Sequence, residues 1–146
     1  MQKIKKQNIF FDLDGTVLDV SERVYRIYRD ILKKNKKKYL SQKIYLKLRK
    51  ENLPIREILK KTKTEDIYSI FKKEGKEKIE NHHYLSLDKF PKNRKKILLQ
   101  LKNNYKLILV TLRNNPQELF KQLKQKKINK IFDTILVAPI KIHQQK

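Results

Sequence analysis

The chain has 146 residues and a mass of 17.8 kDa, enough for one ordinary domain or a small core with an inserted subdomain, but not for two large domains. It contains no cysteine, which excludes disulfides, thiolate metal sites and a cysteine nucleophile. The formal net charge is +23, and the lysines are spread along the whole sequence, a pattern typical of an AT-rich coding sequence.

The first predicted element is a short buried strand over residues 8–13, where the apolar run Ile9 to Phe11 ends in carboxylates. A helix follows from Ser21, a favourable N-cap residue, to about Lys34, because its apolar residues recur at helical spacing. These two elements predict a strand that leads directly into a helical segment.

The whole segment 20–88 is predicted to be helical. Pro54 marks one boundary inside it, Thr62 and Glu65 have the spacing of a capping box, and Gly75 is expected to end a further helix. The segment also holds four tyrosines that we expect in its core, although tyrosines among lysines can instead stack on bases: Tyr25, Tyr28, Tyr45 and Tyr68.

The pattern changes after Pro91. A helix around residues 97–101 leads into the apolar strand 107–110, a second helix covers residues 119–123, and residues 131–137 are a third strand candidate. Strand, helix, strand, helix and strand in succession predict an α/β fold with a Rossmann-like parallel sheet.

The most specific motif is the run from Asp12 to Asp19, which directly follows the first strand. Asp12 and Asp14, two positions apart, leave the strand end on the same side, where they can share a divalent ion and one substrate. Two such close carboxylates also disfavour joint ionisation, so one can act as an acid while the other attacks. Gly15 permits the sharp turn that brings backbone amides to a phosphate.

This run resembles the first signature of the haloacid dehalogenase superfamily, an apolar strand followed by Asp-x-Asp-Gly-Thr. The resemblance implies that Asp12 is the nucleophile and forms an aspartyl-phosphate, while Asp14 protonates the leaving group and then activates water. It also implies that magnesium binds the Asp12 carboxylate and the Asp14 carbonyl, and that Gly15 and Thr16 lie at the substrate phosphate.

A hydroxyl residue ends the second strand. Thr111 follows the apolar run 107–110, and its distance from the first motif is similar to that of the family's second signature, which implies a hydrogen bond to a phosphoryl oxygen. Arg113 and Asn114 follow, and they are predicted either to contact the substrate or to lie in a solvated loop.

The third family signature is a lysine that holds the nucleophile and the phosphoryl group by charge. Its usual distance from a Phe-Asp pair points to Lys146, counted from Phe132 and Asp133, with Lys141 as the alternative and neither lysine as a third outcome. The family's fourth signature, which completes the magnesium site, has no counterpart before the sequence ends. We therefore expect a truncated form that binds magnesium poorly and is weakly active or inactive.

Together these signals predict a haloacid-dehalogenase-like core over residues 1–19 and 89–146 and an α-helical cap over residues 20–88. The expected function is magnesium-dependent hydrolysis of a small phosphomonoester, with the cap closing over the site. The alternative is a non-catalytic basic module that binds nucleic acid or a protein partner. Because no apolar run has the length of a transmembrane helix or a signal peptide, we expect a cytoplasmic protein without membrane contact.

Overall fold

The computed structural model describes residues 6–137. The chain divides into two compact units, which we call the α/β unit, Met1–Asp19 with Lys89–Lys146, and the helical unit, Val20–Asp88. Within the described residues, no helix is long and apolar enough to span a bilayer.

The α/β unit is built on a sheet of three parallel strands in the order β1-β2-β3. These are β1 (Gln7–Asp12), β2 (Tyr105–Thr111) and β3 (Thr134–Val137), joined through the helices α6 (Lys92–Asn104) and α7 (Pro116–Gln125). β2 is the central strand of the described sheet, and its Leu107 and Leu109 are completely buried. The predicted α/β class with a Rossmann-like parallel sheet is confirmed.

The third strand begins later than the sequence pattern predicts. Ile131 and Phe132 are buried, but β3 starts only at Thr134. Asp133 explains the difference, since its backbone N–H donates to the carbonyl of Leu107 (2.9 Å) and its carboxylate accepts from the Leu107 N–H (2.8 Å). At this end of the sheet, the Asp133 carboxylate thus accepts the Leu107 N–H in place of a backbone carbonyl from β3.

The helical unit contains no strand in the structure, as its periodicity predicts. Its helices are α1 (Ser21–Lys34), α2 (Gln42–Lys50), α3 (Ile55–Lys61), α4 (Tyr68–Lys78) and α5 (His82–Leu85), with a 3₁₀ turn at Glu65–Ile67. Its apolar core is made by Tyr25, Ile27, Tyr28, Ile31, Leu32, Tyr45, Ile58, Leu59, Ile67 and Tyr84.

Four tyrosines of the helical unit form part of this core, namely Tyr25, Tyr28, Tyr45 and Tyr84. Tyr28 and Tyr45 stack with ring centroids 4.3 Å apart, and Tyr25 packs at 5.9 Å from Tyr45. Burial raises the pKa of Tyr45 to about 12, because the phenolate is poorly solvated there. The core interpretation is confirmed for Tyr25, Tyr28 and Tyr45, and stacking on bases is excluded for them.

Two predicted helix boundaries in this unit are wrong. Thr62 does not start a helix; it ends α3, and its hydroxyl donates to the carbonyl of Leu59 (3.0 Å). Gly75 does not end a helix either, because α4 runs through it to Lys78. A glycine inside a helix costs about 1 kcal/mol relative to alanine, so another reason must favour it there.

Four helices end in a residue with left-handed backbone. The residue directly after the C-cap has a φ between 54° and 58° in α1, α2, α3 and α7, and in none of them is it glycine. These residues are Lys36, Asn52, Lys63 and Lys127. Glycine is the residue most often found at this position after a helix.

Candidate active site

The first two strands end side by side at the same edge of the sheet. β1 ends at Asp12, which pairs with Val110, and β2 continues by one residue to Thr111. Because the strands are parallel, Asp12 and Thr111 both lie at the carboxyl edge, where open α/β sheets bind ligands. Asp12 is exposed there, whereas Thr111 is buried.

The chain turns sharply after Asp12, and buried apolar side chains hold the loop that follows in place. Leu13, Val17 and Leu18 are buried, and the N–H groups of Val17 and Leu18 both donate to the carbonyl of Leu13. Gly15 has a φ of +84°, a left-handed conformation that favours glycine. No heavy atom lies within 4 Å of a Cβ added there, so the requirement at Gly15 is conformational and not a lack of space.

Arg113 holds the carboxylate of Asp14 through two parallel hydrogen bonds. Arg113 Nε donates to Asp14 Oδ2 at 2.8 Å and Nη2 donates to Oδ1 at 2.7 Å. The Arg113 side chain is 4% exposed, whereas that of Asp14 is 35% exposed. Such a forked pair fixes the orientation of a carboxylate as well as its charge.

A third side chain supports this pair from the helix that follows β2. Arg113 Nη2 also donates to Gln122 Oε1 (3.2 Å), and Gln122 is buried on α7. The side chain of Asn115 caps α7 by accepting from the Glu118 N–H (3.1 Å), and Pro116 is its first residue. Arg113 is therefore held on one side by Asp14 and on the other by a buried side chain of α7.

Comparisons with known proteins identify the family. The sequence model of the haloacid dehalogenase-like hydrolases matches residues 9–146, which is most of the chain. The chain belongs to the haloacid dehalogenase-like hydrolases. No curated protein sequence matches it significantly.

Solved structures of haloacid dehalogenase-like proteins share the fold. A family hydrolase from Streptococcus pneumoniae has a TM-score of 0.67 at 17% identity, over 92% of this chain and 62% of that protein. A protein classified as a phosphatase, from Clostridium difficile, has a TM-score of 0.64 at 21% identity, over 94% of this chain and 63% of that one. A protein classified as a family hydrolase, from Bacillus subtilis and bound to magnesium, has a TM-score of 0.57 at 15% identity, over 92% and 66%.

These solved proteins are longer than the chain described here. The chain spans 62% of the streptococcal protein and 63% of the clostridial one. The activity, substrate and partners of the whole haloacid dehalogenase-like protein are therefore matters for proposal.

The structure locates most of the residues predicted for the site. Thr16 and Asn114 are exposed in the loops that follow the first two strands. The solvated-loop alternative is wrong for Arg113, since the side chain is buried against Asp14; contact with a substrate remains a prediction. Lys141 and Lys146 lie outside the described residues.

Two oxygen donors at this edge are of the kind that a hard divalent cation prefers, the carboxylate of Asp12 and the backbone carbonyl of Asp14. Among the described residues, the exposed carboxylate of Asp12 has no hydrogen-bond or ion-pair partner, so its oxygens are available as ligands. The carboxylate of Asp14 is occupied by Arg113, which favours its backbone carbonyl as the ligand that the family resemblance implies. Residues 6–137 contain no group of three or more His, Asp or Glu side chains that could together hold a metal ion.

Sequence reasoning missed Gln122 and the Arg113–Asp14 pair. The Asn115, Pro116 and Glu118 pattern marks the start of a helix, and it would have placed Arg113 three residues before the first turn of that helix. No local pattern indicates that this arginine pairs with a residue 99 positions earlier.

Proposed function

We propose that this chain carries the nucleophile and acid–base residues of a magnesium-dependent phosphohydrolase that acts on a small phosphomonoester. The observation that carries the proposal is the asymmetry between two carboxylates on one turn. Asp12 is exposed and unpartnered among the described residues, whereas Asp14 is held by Arg113. One carboxylate is thus available to attack, and the other is oriented to handle protons.

The first step would transfer the phosphoryl group to the protein. A carboxylate oxygen of Asp12 attacks phosphorus, and the bond from phosphorus to the ester oxygen breaks. Asp14 gives a proton to the departing oxygen, so the products are an alcohol and an aspartyl-phosphate on Asp12. The hydroxyl of Thr111 would stabilise the charge on the phosphoryl oxygens, since the N–H groups of Gly15, Val17 and Leu18 already donate to backbone carbonyls within the turn.

The second step would release phosphate. Asp14, now ionised, takes a proton from water, whose oxygen attacks phosphorus, and the bond to Asp12 breaks. A guanidinium that binds both oxygens of Asp14 stabilises the charged carboxylate, so Arg113 favours the ionised and oriented form of Asp14 with which this step begins. Protonation of Asp14 for the first half would require one of these two bonds to loosen.

Magnesium would bind the Asp12 carboxylate and the Asp14 backbone carbonyl, and it would neutralise phosphate charge at the site. Bringing an anionic nucleophile to a phosphate dianion costs Coulomb energy, which a bound cation offsets. The net charge of +23 acts in the same direction over longer distances, since it attracts anionic substrates.

The decisive experiment compares two aspartates in the full-length protein that contains these residues. Hydrolysis of p-nitrophenyl phosphate should require magnesium, and Asp12→Asn should reduce kcat by about a thousandfold or more, as loss of a covalent nucleophile does. Asp66→Asn is the matched control, because Asp66 is exposed in the helical unit and pairs only with Lys37 there. Intact mass spectrometry during turnover should detect a phosphoryl adduct in wild type and none in Asp12→Asn.

Two results would contradict the proposal. Equal activity of wild type and Asp12→Asn would remove the assigned nucleophile. A phosphoryl adduct that persists in Asp12→Asn would place the covalent intermediate on another residue.

One observation favours the alternative of a basic binding module. The first half of α6 carries Lys92, Arg94, Lys95 and Lys96 with no acidic residue in its first turn. Cations at a helix N-terminus oppose the helix dipole, so they do not serve the stability of the helix. If they bind nucleic acid, the double change Lys95→Gln with Lys96→Gln should weaken binding of a fluorescent oligonucleotide and flatten its salt dependence. Unchanged affinity and salt slope would exclude this role.

A further inference from the structure

A cavity in the helical unit lies outside the residues assigned to phosphate chemistry. It has a volume of about 350 Å³ and opens between α1, α2, α3 and α4. Small-molecule sites in proteins have volumes from roughly 300 to 1,000 Å³ and mostly apolar walls. The cavity has both properties, since its inner wall includes the buried Ile27 and Tyr45 together with Phe71 and Ile79.

Gly75 forms part of the wall on α4, and neither backbone strain nor packing requires a glycine there. Its φ is not positive, and a Cβ added at Gly75 would meet only the ring of Phe71, at an ordinary 3.9 Å. Glycine is unfavourable inside a helix, and the chain has only two glycines. What the absence of a side chain does provide at this position is open volume in the cavity.

The mouth of the cavity is cationic. Three of its lining residues, Arg49, Lys72 and Lys76, carry positive charge on exposed side chains, and none of the lining residues is acidic. Arg49 donates through Nη1 to the carbonyl of Leu53 (3.1 Å), which still leaves other guanidinium donors. An apolar wall below a cationic mouth is complementary to a molecule with an apolar body and one anionic end.

We propose that this cavity binds a small anionic amphiphile, of the class of a medium-chain fatty acid. The hydrocarbon chain packs against Ile27, Tyr45 and Phe71, and the carboxylate lies among the cations at the mouth. This inference does not rest on the phosphohydrolase proposal, since all of its residues belong to the helical unit.

The two glycines of the chain provide a direct test of location. In protein labelled with ¹⁵N-glycine, only the amides of Gly15 and Gly75 give signals, and Gly75→Ala assigns them by removing one. Octanoate, below its micelle-forming concentration, should shift the Gly75 signal and leave the Gly15 signal in place. An unmoved Gly75 signal, or equal shifts of both signals, would overturn the proposal. Inorganic phosphate with magnesium tests the other site separately, because it should affect Gly15 alone.

Calorimetry on a matched set of variants tests the two parts of the site. Gly75→Leu fills the cavity and should abolish octanoate binding, whereas Gly75→Ala makes the same backbone change and should reduce affinity by less than threefold. Lys76→Gln should weaken octanoate by about two- to fivefold, the range for an exposed ion pair, while Lys96→Gln on α6 should have no effect. Affinity should rise by up to about fourfold per methylene from hexanoate to octanoate.

Three outcomes would overturn the proposal. Wild-type affinity in Gly75→Leu would place octanoate elsewhere. Equal losses in Lys76→Gln and Lys96→Gln would mean that octanoate responds to overall charge and not to this mouth. Binding of octanol as tight as that of octanoate would exclude recognition of the anionic end.

Discussion

Both units of the protein bury an arginine against an aspartate, and the two pairs differ in what they leave exposed. In the helical unit, Arg23 Nε lies 3.0 Å from Asp88 Oδ1, and both side chains are essentially inaccessible, at 2% and 0% exposure. In the α/β unit, Arg113 is equally buried, but the side chain of its partner Asp14 remains 35% exposed. The first pair is closed on all sides, whereas the second presents a carboxylate to solvent.

This difference suggests different tasks for the same pair of residue types. Arg23 also donates through Nη1 to the carbonyl of Ile79 (2.9 Å), so it connects the beginning of the helical unit with its end. Arg113 has Gln122 behind it and both Asp14 oxygens in front of it. We therefore expect loss of Arg23 to affect stability, and loss of Arg113 to affect chemistry.

The largest effect should follow from breaking the closed pair. Arg23→Met leaves the Asp88 carboxylate buried without its guanidinium, and the free energy of unfolding should fall by about 3–5 kcal/mol. Arg26→Met on the same helix removes a partly exposed partner of Glu22. It should change the free energy of unfolding by less than about 0.5 kcal/mol. Urea denaturation followed by circular dichroism measures both. Equal small losses in the two variants would mean that the buried pair contributes little to the stability of the helical unit.

Arg113 should separate orientation of Asp14 from binding of substrate. Arg113→Met should reduce kcat for p-nitrophenyl phosphate by about a hundredfold through misplacement of Asp14, with KM changed little. Arg113→Lys should recover only part of the loss. The ammonium keeps the positive charge, but it cannot hold both carboxylate oxygens of Asp14 in the way a guanidinium does. Lys121→Gln, which changes an exposed residue of α7, is the control. A raised KM with kcat preserved would instead support the substrate contact expected from sequence.

The core of the helical unit should show the smallest of the three effects, at alkaline pH. The pKa of Tyr45 is raised from 10 to about 12 by burial, so the folded state holds the proton more tightly than the unfolded state. This contribution to stability is fully present below pH 10 and is lost as pH rises toward 12, at most about 2–3 kcal/mol. Tyr45→Phe should flatten the decline in that interval, and Tyr39→Phe, an exposed control, should not. Identical pH profiles of wild type and Tyr45→Phe would show that Tyr45 does not determine the loss of stability at alkaline pH.

The fold could be predicted from sequence wherever one local pattern dominates. The apolar runs specified the three strands, and helical periodicity specified the content of the helical unit. The errors occurred where a side chain replaced a backbone partner, as Asp133 does at β3, or where a residue was used against its usual preference, as Gly75 is in α4. The first depends on a partner 26 positions away in sequence, and the second has no local packing reason.

The candidate site divides in the same way. Asp12, Asp14 and Gly15 belong to one contiguous motif, so their proximity follows from the sequence itself. Arg113 and Gln122 acquire their relation to Asp14 only when β2 lies beside β1, and pairwise spacing along the chain carries no sign of it. The catalytic roles of these residues, and that of Lys146, remain predictions.

The left-handed residues at the helix ends have a consequence for the stability of the protein. Lys36, Lys63 and Lys127 adopt a backbone that costs an ordinary L-residue about 1–2 kcal/mol and costs glycine almost nothing. Lysine thus stands at three helix ends where glycine would adopt the same backbone with less strain. Glycine at these three positions should therefore raise the stability of the protein without changing either arginine–aspartate pair.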